Sequence, residues 1–408
     1  MTLTTRYDIV IVGAGPVGCC VAALLAAEGV VPPTRIALLD RRPPPESRAD
    51  DSIDLRVFAL ARGTEKVLLR AGAWPAVGAR RLSPYERMIV WHASVPPRSA
   101  DALTFAADEC GEPNLGHIVE NRVLQWALYR AACDAGVVFH AGSLRSLGFD
   151  RQGVAVATDD ARLCARLVVG ADGGRSQVRT LADLGVSTAD YSQRAIVAVV
   201  TSARAHERTA WQRFLGDGTL ALLPLADGRS SIVWSVPIER ADRLMALAPQ
   251  EFARELTQDS DDVLGSLTLA SDRAVFDLGK QLADDYVRER VALVGDAAHV
   301  VHPLAGQGVN LGVLDAAALV QVLQDATREG EDIGAMRILR RYERWRRSEA
   351  QLVSAAMDGF NRFLARGHGP IAALAQRALP IVGRSALSKR LLVERALGAS
   401  GELPRAAR

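Results

Sequence analysis

Three short stretches of this 408-residue chain carry glycine and aspartate in an order that could hold a phosphorylated ligand. The first is Gly13-Ala14-Gly15-Pro16-Val17-Gly18. Its spacing allows a tight turn at Gly13, close approach of backbone to a ligand at Gly15, and close helix–strand packing at Gly18. A helix starting there would aim free N–H groups and a partial positive charge at a pyrophosphate. Asp40 ends the next apolar run, where a carboxylate can accept from ribose hydroxyls. The second stretch is Val169-Gly170-Ala171-Asp172-Gly173-Gly174-Arg175-Ser176, and the third is Gly295-Asp296-Ala297-Ala298-His299. Each sets an aspartate beyond the end of a buried-type strand, where ligands collect in open α/β sheets. The third runs on into Pro303-Leu304-Ala305-Gly306-Gln307-Gly308-Val309-Asn310, small enough for backbone amides to approach an extended ligand. Any one of these is as readily an ordinary turn. Together they fit one long dinucleotide crossing a sheet, either NAD or FAD.

Other reactive groups are sparse. His299 and His302 could act as acid–base groups, but no carboxylate partner is evident and packing is the plainer role. The five cysteines, Cys19, Cys20, Cys110, Cys133 and Cys164, form no CxxC pair. They read as reduced thiols, and no metal site is expected.

The elements that must position these groups follow from hydrophobic patterning. Residues 7–12 (YDIVIV) have the length and β-branching of a buried parallel strand. A small-residue helix ending at Gly29 and the run RIALLD (35–40) complete a βαβ unit. After a Pro-rich loop at 41–50, the spacing predicts helices over 57–72 and 119–135. It also predicts strands within 82–105 and at 137–140, 153–158 and 166–173. From about 185 to 280, short alternating runs between Gly and Asp turns indicate an antiparallel sheet inserted into the first domain. RVALVG (290–295) restores the buried-strand pattern, and the tail 337–398 is helical by composition. The expected fold is α/β: a Rossmann-like dinucleotide-binding domain, an inserted mainly antiparallel β-sheet domain, and a C-terminal helical region. The boundaries place 1–80, 106–184 and 281–350 in the first domain, 81–105 and 185–280 in the second, and 351–408 in the helical region.

Composition narrows the function. Basic residues number 49 and acidic residues 47, a net charge of +2, so neither disorder nor nucleic-acid binding by bulk charge is expected. No apolar run reaches the roughly eighteen residues that a membrane span requires. The apolar run at Tyr7 begins too near Met1 for a cleaved leader, so a cytoplasmic protein is expected, at most peripheral at the inner membrane face. RILRRYERWRR (337–347) holds six arginines among apolar residues at helical spacing. It reads either as a charged helix packed on the fold or as a basic face for anionic lipid or a partner.

GAGPVG, GADGGRSQVR and GDAAHVVHPLAGQGVNLG, in that order, resemble the three motifs of FAD-dependent aromatic monooxygenases related to para-hydroxybenzoate hydroxylase. DLRVFAL (54–60), LGHIVENRVLQWAL (115–128), WQRFLGDGTLALLPL (211–225) and HPLAGQGVNLGVLDAAAL (302–319) resemble the ubiquinone-biosynthesis hydroxylases within that group. The resemblance implies FAD as cofactor and NAD(P)H as co-substrate without a nucleotide domain of its own. It implies O₂ as oxidant, reacting through a flavin C4a-hydroperoxide, and a lipid-soluble polyprenylated phenol or quinol as substrate. A ubiquinone-biosynthesis complex and a membrane surface are implied partners. Gly13, Gly15 and Gly18 would hold the pyrophosphate, Asp40 the adenosine ribose, and Arg41 a phosphate or adenine beside it. Arg122 would contact the ribityl-pyrophosphate region, and Asp296 the ribityl or pyrophosphate oxygens. Asp172 would support the cofactor domain rather than chemistry. Gly306, Gly308, Val309 and Asn310 would lie along the flavin ring and Arg56 near it, with His302 and Pro303 the candidates closest to catalysis. Trp211, Phe214, Leu220, Leu222, Leu223, Pro224 and Trp234 could line an apolar substrate pocket or belong to the core. Another aromatic substrate, such as a polyketide or pigment precursor, and a non-catalytic flavoprotein scaffold are the alternatives.

Overall fold

The computed structural model describes residues 4–48, 50–150, 153–301, 307–360, 362 and 402–408. His302, Pro303, Gly306 and the apolar stretch 371–383 lie outside the described residues.

β1 (Thr4–Val12) has Ile9, Val10 and Ile11 fully buried because it lies inside a parallel sheet covered on both faces. α1 (Pro16–Ala27) opens on Pro16, where a missing N–H costs nothing, and β2 (Ile36–Asp40) pairs parallel with β1. The stretch 57–72, where the spacing predicts one helix, divides into β3 (Val57–Ala61) and α2 (Arg62–Arg70). α3 (Trp74–Gly78), β4 (Ser83–Tyr85), β5 (Arg87–His92), β6 (Leu103–Ala106) and β7 (Gly116–Glu120) follow. β3 is a strand because all five of its residues pair antiparallel with β7, and that pairing overrides the helical spacing. The helix predicted over 119–135 begins two residues later, as α4 (Asn121–Asp134), because Val119 and Glu120 still belong to β7.

β8 (Val138–Ala141), β9 (Leu144–Phe149), β10 (Val154–Thr158) and β11 (Arg162–Gly170) lead to the short α5 (Gln177–Leu181). The expected antiparallel region holds β12 (Val186–Ser202), β13 (Thr209–Phe214), β14 (Thr219–Pro224) and β15 (Ser230–Pro237). It continues through α6 (Ile238–Ala246), α7 (Pro249–Asp259), β16 (Leu267–Leu269) and β17 (Ala274–Ala283). β18 (Val287–Arg288), β19 (Val291–Leu293), β20 (His299–Val300), α8 (Gln307–Arg328) and α9 (Met336–Phe360) complete the main body.

Among the described residues the strands form three sheets. The first runs β18-β19-β11-β1-β2-β8, with β10 on β11 and β9 on β10. Register aligns its strand ends: Val12 is opposite both Leu39 and Gly170, and Gly170 is opposite Leu293. Each glycine–aspartate stretch starts where one of these parallel strands stops, so three motifs far apart in sequence reach one edge.

The second sheet runs β20-β17-β12-β15-β14-β13-β5-β6 and is antiparallel except at β5–β13. β20 brings the last residues of the third motif onto β17. The third sheet, β3-β7-β4, takes Ser83–Tyr85 out of the second, where the 81–105 stretch was expected to lie whole.

One apolar core fills the space between the first sheet and α1, α4 and α8. Another covers one face of the second sheet, where Trp91, Trp211, Leu220, Leu222 and Trp234 meet Phe252 and Leu256 of α7. α9 buries Ile338, Leu339 and Tyr342. Its arginines are largely engaged by the fold: Arg337 pairs with Glu331, Arg341 with Glu329 and Glu331, and Arg347 with Asp285, while Arg346 is buried.

Candidate functional site

A cavity of about 940 Å³ opens at the shared edge. Gly13, Gly15 and Asp40 line it from the first motif, Asp172, Gly173 and Arg175 from the second, and Asp296, Gly308 and Val309 from the third. It continues without interruption onto the face of the second sheet opposite the tryptophan core.

The three glycines of the first motif serve different physical ends. Gly13 has φ +107°, which a side chain would strain, and a Cβ there would stand 2.4 Å from the Ala171 carbonyl oxygen. A Cβ at Gly18 would stand 1.9 Å from the carbonyl oxygen of Gly13, so α1 can pack this closely only through glycine. At Gly15 a Cβ would meet nothing within 4 Å, because that position faces the cavity. No side chain caps α1 at Gly15, which leaves the first-turn N–H groups directed at the same space.

Asp40 accepts from the Ala14 N–H at 2.7 Å and from the Arg41 N–H at 2.7 Å, which fixes its carboxylate beside the glycine turn. Gln125 of α4 donates to the Ala14 carbonyl at 2.7 Å and also lines the cavity, a residue the motif reading passed over. Asp296 is exposed to the cavity and has no hydrogen-bond partner among the described residues. Asp172 is committed to the fold: Ser176 Oγ donates to it at 2.5 Å, and the Gln177 and Val178 N–H groups at 2.7 and 3.0 Å. Arg179 binds the second motif to the third, donating to the carbonyls of Gly174 and Ala297 at 2.8 Å each. Burial pushes the Tyr85 phenol up to about 12, so the cavity meets it as a neutral hydroxyl.

Two expected contacts are arranged differently. Arg122 does not line the cavity; its backbone N–H donates to Asp54 and its guanidinium turns to Asp51 at 3.4 Å. Asp54 also accepts from the Arg56 N–H at 3.0 Å, and Arg56 does line the cavity, its guanidinium 5.2 Å from the Phe58 ring centre. Asn310 is buried, and its amide is consumed elsewhere: it accepts from Ala61 N–H and Thr64 Oγ1 and donates to the Ala59 carbonyl. Its side chain therefore anchors α8 to the β3–α2 junction.

His299 is buried away from the cavity and does have a carboxylate partner. Its Nε2 lies 2.5 Å from Asp315 Oδ2, and Asp315 also accepts from Arg346 Nε at 2.7 Å and the Gly295 N–H at 3.0 Å. Burial pushes the Asp315 carboxyl up, but His299 and Arg346 outweigh it and hold the group below its ordinary range. This buried cluster ties α8, α9 and the third motif together. The available signal was the lone acid in the apolar run NLGVLDAAALV.

The wall on the second sheet separates the two readings of the apolar residues, pocket lining or core. Trp211, Leu220, Leu222 and Trp234 point into the core on the far face, and Phe214 packs with Val90 and Leu103. Among those seven residues, Leu223 and the edge of Trp211 reach the cavity. The positions between them, Gln212, Thr219, Ala221, Val233 and Ser235, form the wall, as side-chain alternation along a strand requires.

This set fits an FAD molecule: open space at Gly15, uncapped amides on α1, a carboxylate free at Asp296, and room beyond them for a flat ring. A family model described as an FAD binding domain matches residues 6–356. Ubiquinone hydroxylase UbiL of Rhodospirillum rubrum is 36% identical over 394 residues, spanning 96% of this chain and 89% of that protein. The 3-demethoxyubiquinol 3-hydroxylase of Escherichia coli is 34% identical over 395 residues, spanning 96% of this chain and 98% of that one. Among solved structures, p-nitrophenol 4-monooxygenase PnpA from Pseudomonas putida superposes with a TM-score of 0.76 at 20% identity. That likeness spans 97% of this chain and 99% of that one, and shows the expected α/β monooxygenase fold. The chain belongs to the FAD-binding-domain family and, within it, to the FAD-dependent aromatic-ring monooxygenases that include the ubiquinone-biosynthesis hydroxylases.

Proposed function

We propose that the protein uses FAD, NAD(P)H and O₂ to hydroxylate the aromatic ring of a polyprenylated phenol or quinol in ubiquinone biosynthesis. The observation that carries this reading is the single cavity joining the glycine turn to a wall of small, mostly apolar side chains. The relatives named for ubiquinone hydroxylation support the substrate class. When bound, FAD would supply the redox chemistry that carries two electrons from NAD(P)H to O₂, one atom of which enters the ring while the other leaves as water.

The chain's own residues bind, orient and exclude water. The first-turn amides of α1 and the turn at Gly13, Gly15 and Gly18 hold the pyrophosphate, and Asp40 the adenosine ribose with Arg41 beside it. Asp296 accepts from ribityl hydroxyls. The backbone at Gly308 and Val309 would face the flavin ring, and Arg56 would stand near it. Asp172 and Arg179 act at one remove, keeping the second and third motifs in register. The sheet wall keeps water from the reacting oxygen.

A lipid-soluble substrate calls for delivery from a membrane surface or a biosynthetic complex. No helix among the described residues is long and apolar enough to cross a membrane. Val275 and Phe276 are exposed on β17, and Phe276 also lines the cavity. Binding to anionic liposomes at low but not high salt is the expected result, and no binding at low salt removes the membrane part of the proposal.

The whole reading is tested by profiling quinone intermediates in a strain lacking the protein. Accumulation of a prenylated ring one hydroxyl short is expected, together with a yellow purified protein whose NAD(P)H oxidation rises on adding a prenylated phenol. An unchanged quinone profile refutes the pathway assignment, and a protein that binds no flavin refutes the entire reading.

A further inference from the structure

The wall of the cavity formed by β12–β15 is almost uniformly apolar, and its exceptions are grouped. Gln212, Thr219 and Ser235 line the cavity at 7%, 6% and 2% exposure. Thr219 and Ser235 are direct cross-strand partners. Gln212 lies opposite Ala221, two positions along from Thr219, and so is its diagonal neighbour. None of the three side chains has a hydrogen-bond partner among the described residues. Around them the same face presents Ala195, Val197, Ala210, Ala221 and Val233.

Buried polar groups are rarely left without a partner, and these three face open space rather than the core. A partner must therefore come from what enters the cavity. An amide both donates and accepts, and two hydroxyls rotate to do either, so the group can read phenolic, methoxyl and carbonyl oxygens alike. The described residues of this part of the wall carry no charged side chain into the cavity. Its chemistry therefore matches a neutral oxygenated ring and gives a carboxylate no counter-charge.

Resting on the function proposed above, we propose that Gln212, Thr219 and Ser235 are the subsite for the ring's oxygen substituents. They select a neutral phenol over an aromatic acid and set which ring carbon faces the flavin, with Gln212 the main determinant of specificity.

The test uses the purified holoenzyme with 2-geranylphenol, its 6-methoxy derivative and 4-hydroxybenzoate as probes, reading perturbation of the flavin absorbance on binding. The wild type is expected to bind both phenols and to bind the acid at least about tenfold more weakly. Gln212→Leu should keep its flavin but bind the phenols about tenfold more weakly, uncouple NAD(P)H oxidation into hydrogen peroxide, and change the product isomer ratio. Thr219→Val with Ser235→Ala should act in the same direction and keeps the test open if the leucine variant fails to fold. Ser231→Ala is the control, a buried serine without a partner that does not line the cavity. Equal binding by Gln212→Leu, the double variant and the wild type overturns the subsite, as does binding of the acid as tight as that of the phenols. Tight phenol binding without turnover leaves the subsite standing and counts against the substrate reading; no phenol binding by the flavin-loaded wild type overturns both.

Discussion

The cavity is bounded by two walls built by opposite means. On the side of the first sheet the working groups are backbone amides and carboxylates, placed where parallel strands end. Glycine is required there because Gly13 and Gly18 sit against backbone atoms. On the side of the second sheet the working groups are side chains on the middles of antiparallel strands, and strand parity alone decides which of them face the ligand. At Gly13 and Gly18 the first wall tolerates no added side chain. The second tolerates change on either face, with different expected consequences: stability from the core face and, under the proposed function, ring fit from the cavity face. Under the proposed function, one wall is a fixed cofactor cradle and the other an adjustable template.

The sharpest contrast lies within the first wall. Gly18→Ala would drive a Cβ into the Gly13 carbonyl, where neither backbone segment can give way. A loss of about 3 kcal/mol or more is expected, with little soluble flavoprotein recovered. Gly15→Ala places its methyl in open space, so its melting temperature should stay near the wild type while FAD affinity falls about tenfold. Thermal melts and flavin titration of the two variants separate packing from ligand approach. Equal behaviour would break the distinction.

The buried cluster under the third motif comes next. Arg346→Met leaves Asp315 with His299 and the Gly295 N–H in a fully buried site, and a loss of about 3–5 kcal/mol in urea unfolding is expected. The sign of its pH dependence follows from the Asp315 carboxyl lying below its ordinary value of 3.8. A folded pKa below the unfolded one gives stability that is complete above the unfolded value and disappears as pH falls through the folded one. Wild-type stability should therefore fall in acid below about pH 4, and Asp315→Asn should flatten that part of the curve. An unaltered acid limb would remove Asp315 from the account.

Across the second sheet, adjacent residues should behave oppositely. Leu222→Ala faces the tryptophan core and should cost about 2–5 kcal/mol while leaving kcat/KM of the folded enzyme nearly unchanged. Ala221→Leu faces the cavity and should change stability little but lower kcat/KM for a prenylated phenol by about tenfold or more. Should both variants lose stability and neither lose activity, the parity assignment is wrong. A weaker effect is expected at Asp296→Ala, a loss of about 0.5–1 kcal/mol in FAD binding with an unchanged melt of the apoprotein. Fluorescence titration of the flavin checks it.

Much of the first wall was legible in the chain because its demands are local. A glycine that must adopt φ +107° or admit a carbonyl at contact distance leaves its mark at one position, whatever lies far away. Asp40 and Asp296 were legible for the same reason: Asp40 closes an apolar strand, and Asp296 comes within three residues of the end of one. What escaped depended on partners distant in sequence. Val57–Ala61 has helical spacing, and only β7 makes it a strand. Arg346 sits in a run of arginines that looks like a solvated face, yet it alone turns inward to Asp315. Arg122 and Asn310 stand in the right motifs, but their side chains are drawn to Asp51 and to the β3–α2 junction. Hydrophobicity left the apolar residues of β13–β15 open as pocket lining or core; most of them are core, and most of the wall is made by the smaller and more polar residues between them.

The amino-acid order by itself determined that glycine turns and carboxylates would sit at the ends of parallel strands, since steric limits on single glycines and the apolar runs before them act within a few residues. Only the tertiary structure decided which face of the second sheet meets the ligand and where each buried charge finds its partner. Both depend on which surface a helix or strand happens to cover, a choice made by packing over the whole chain.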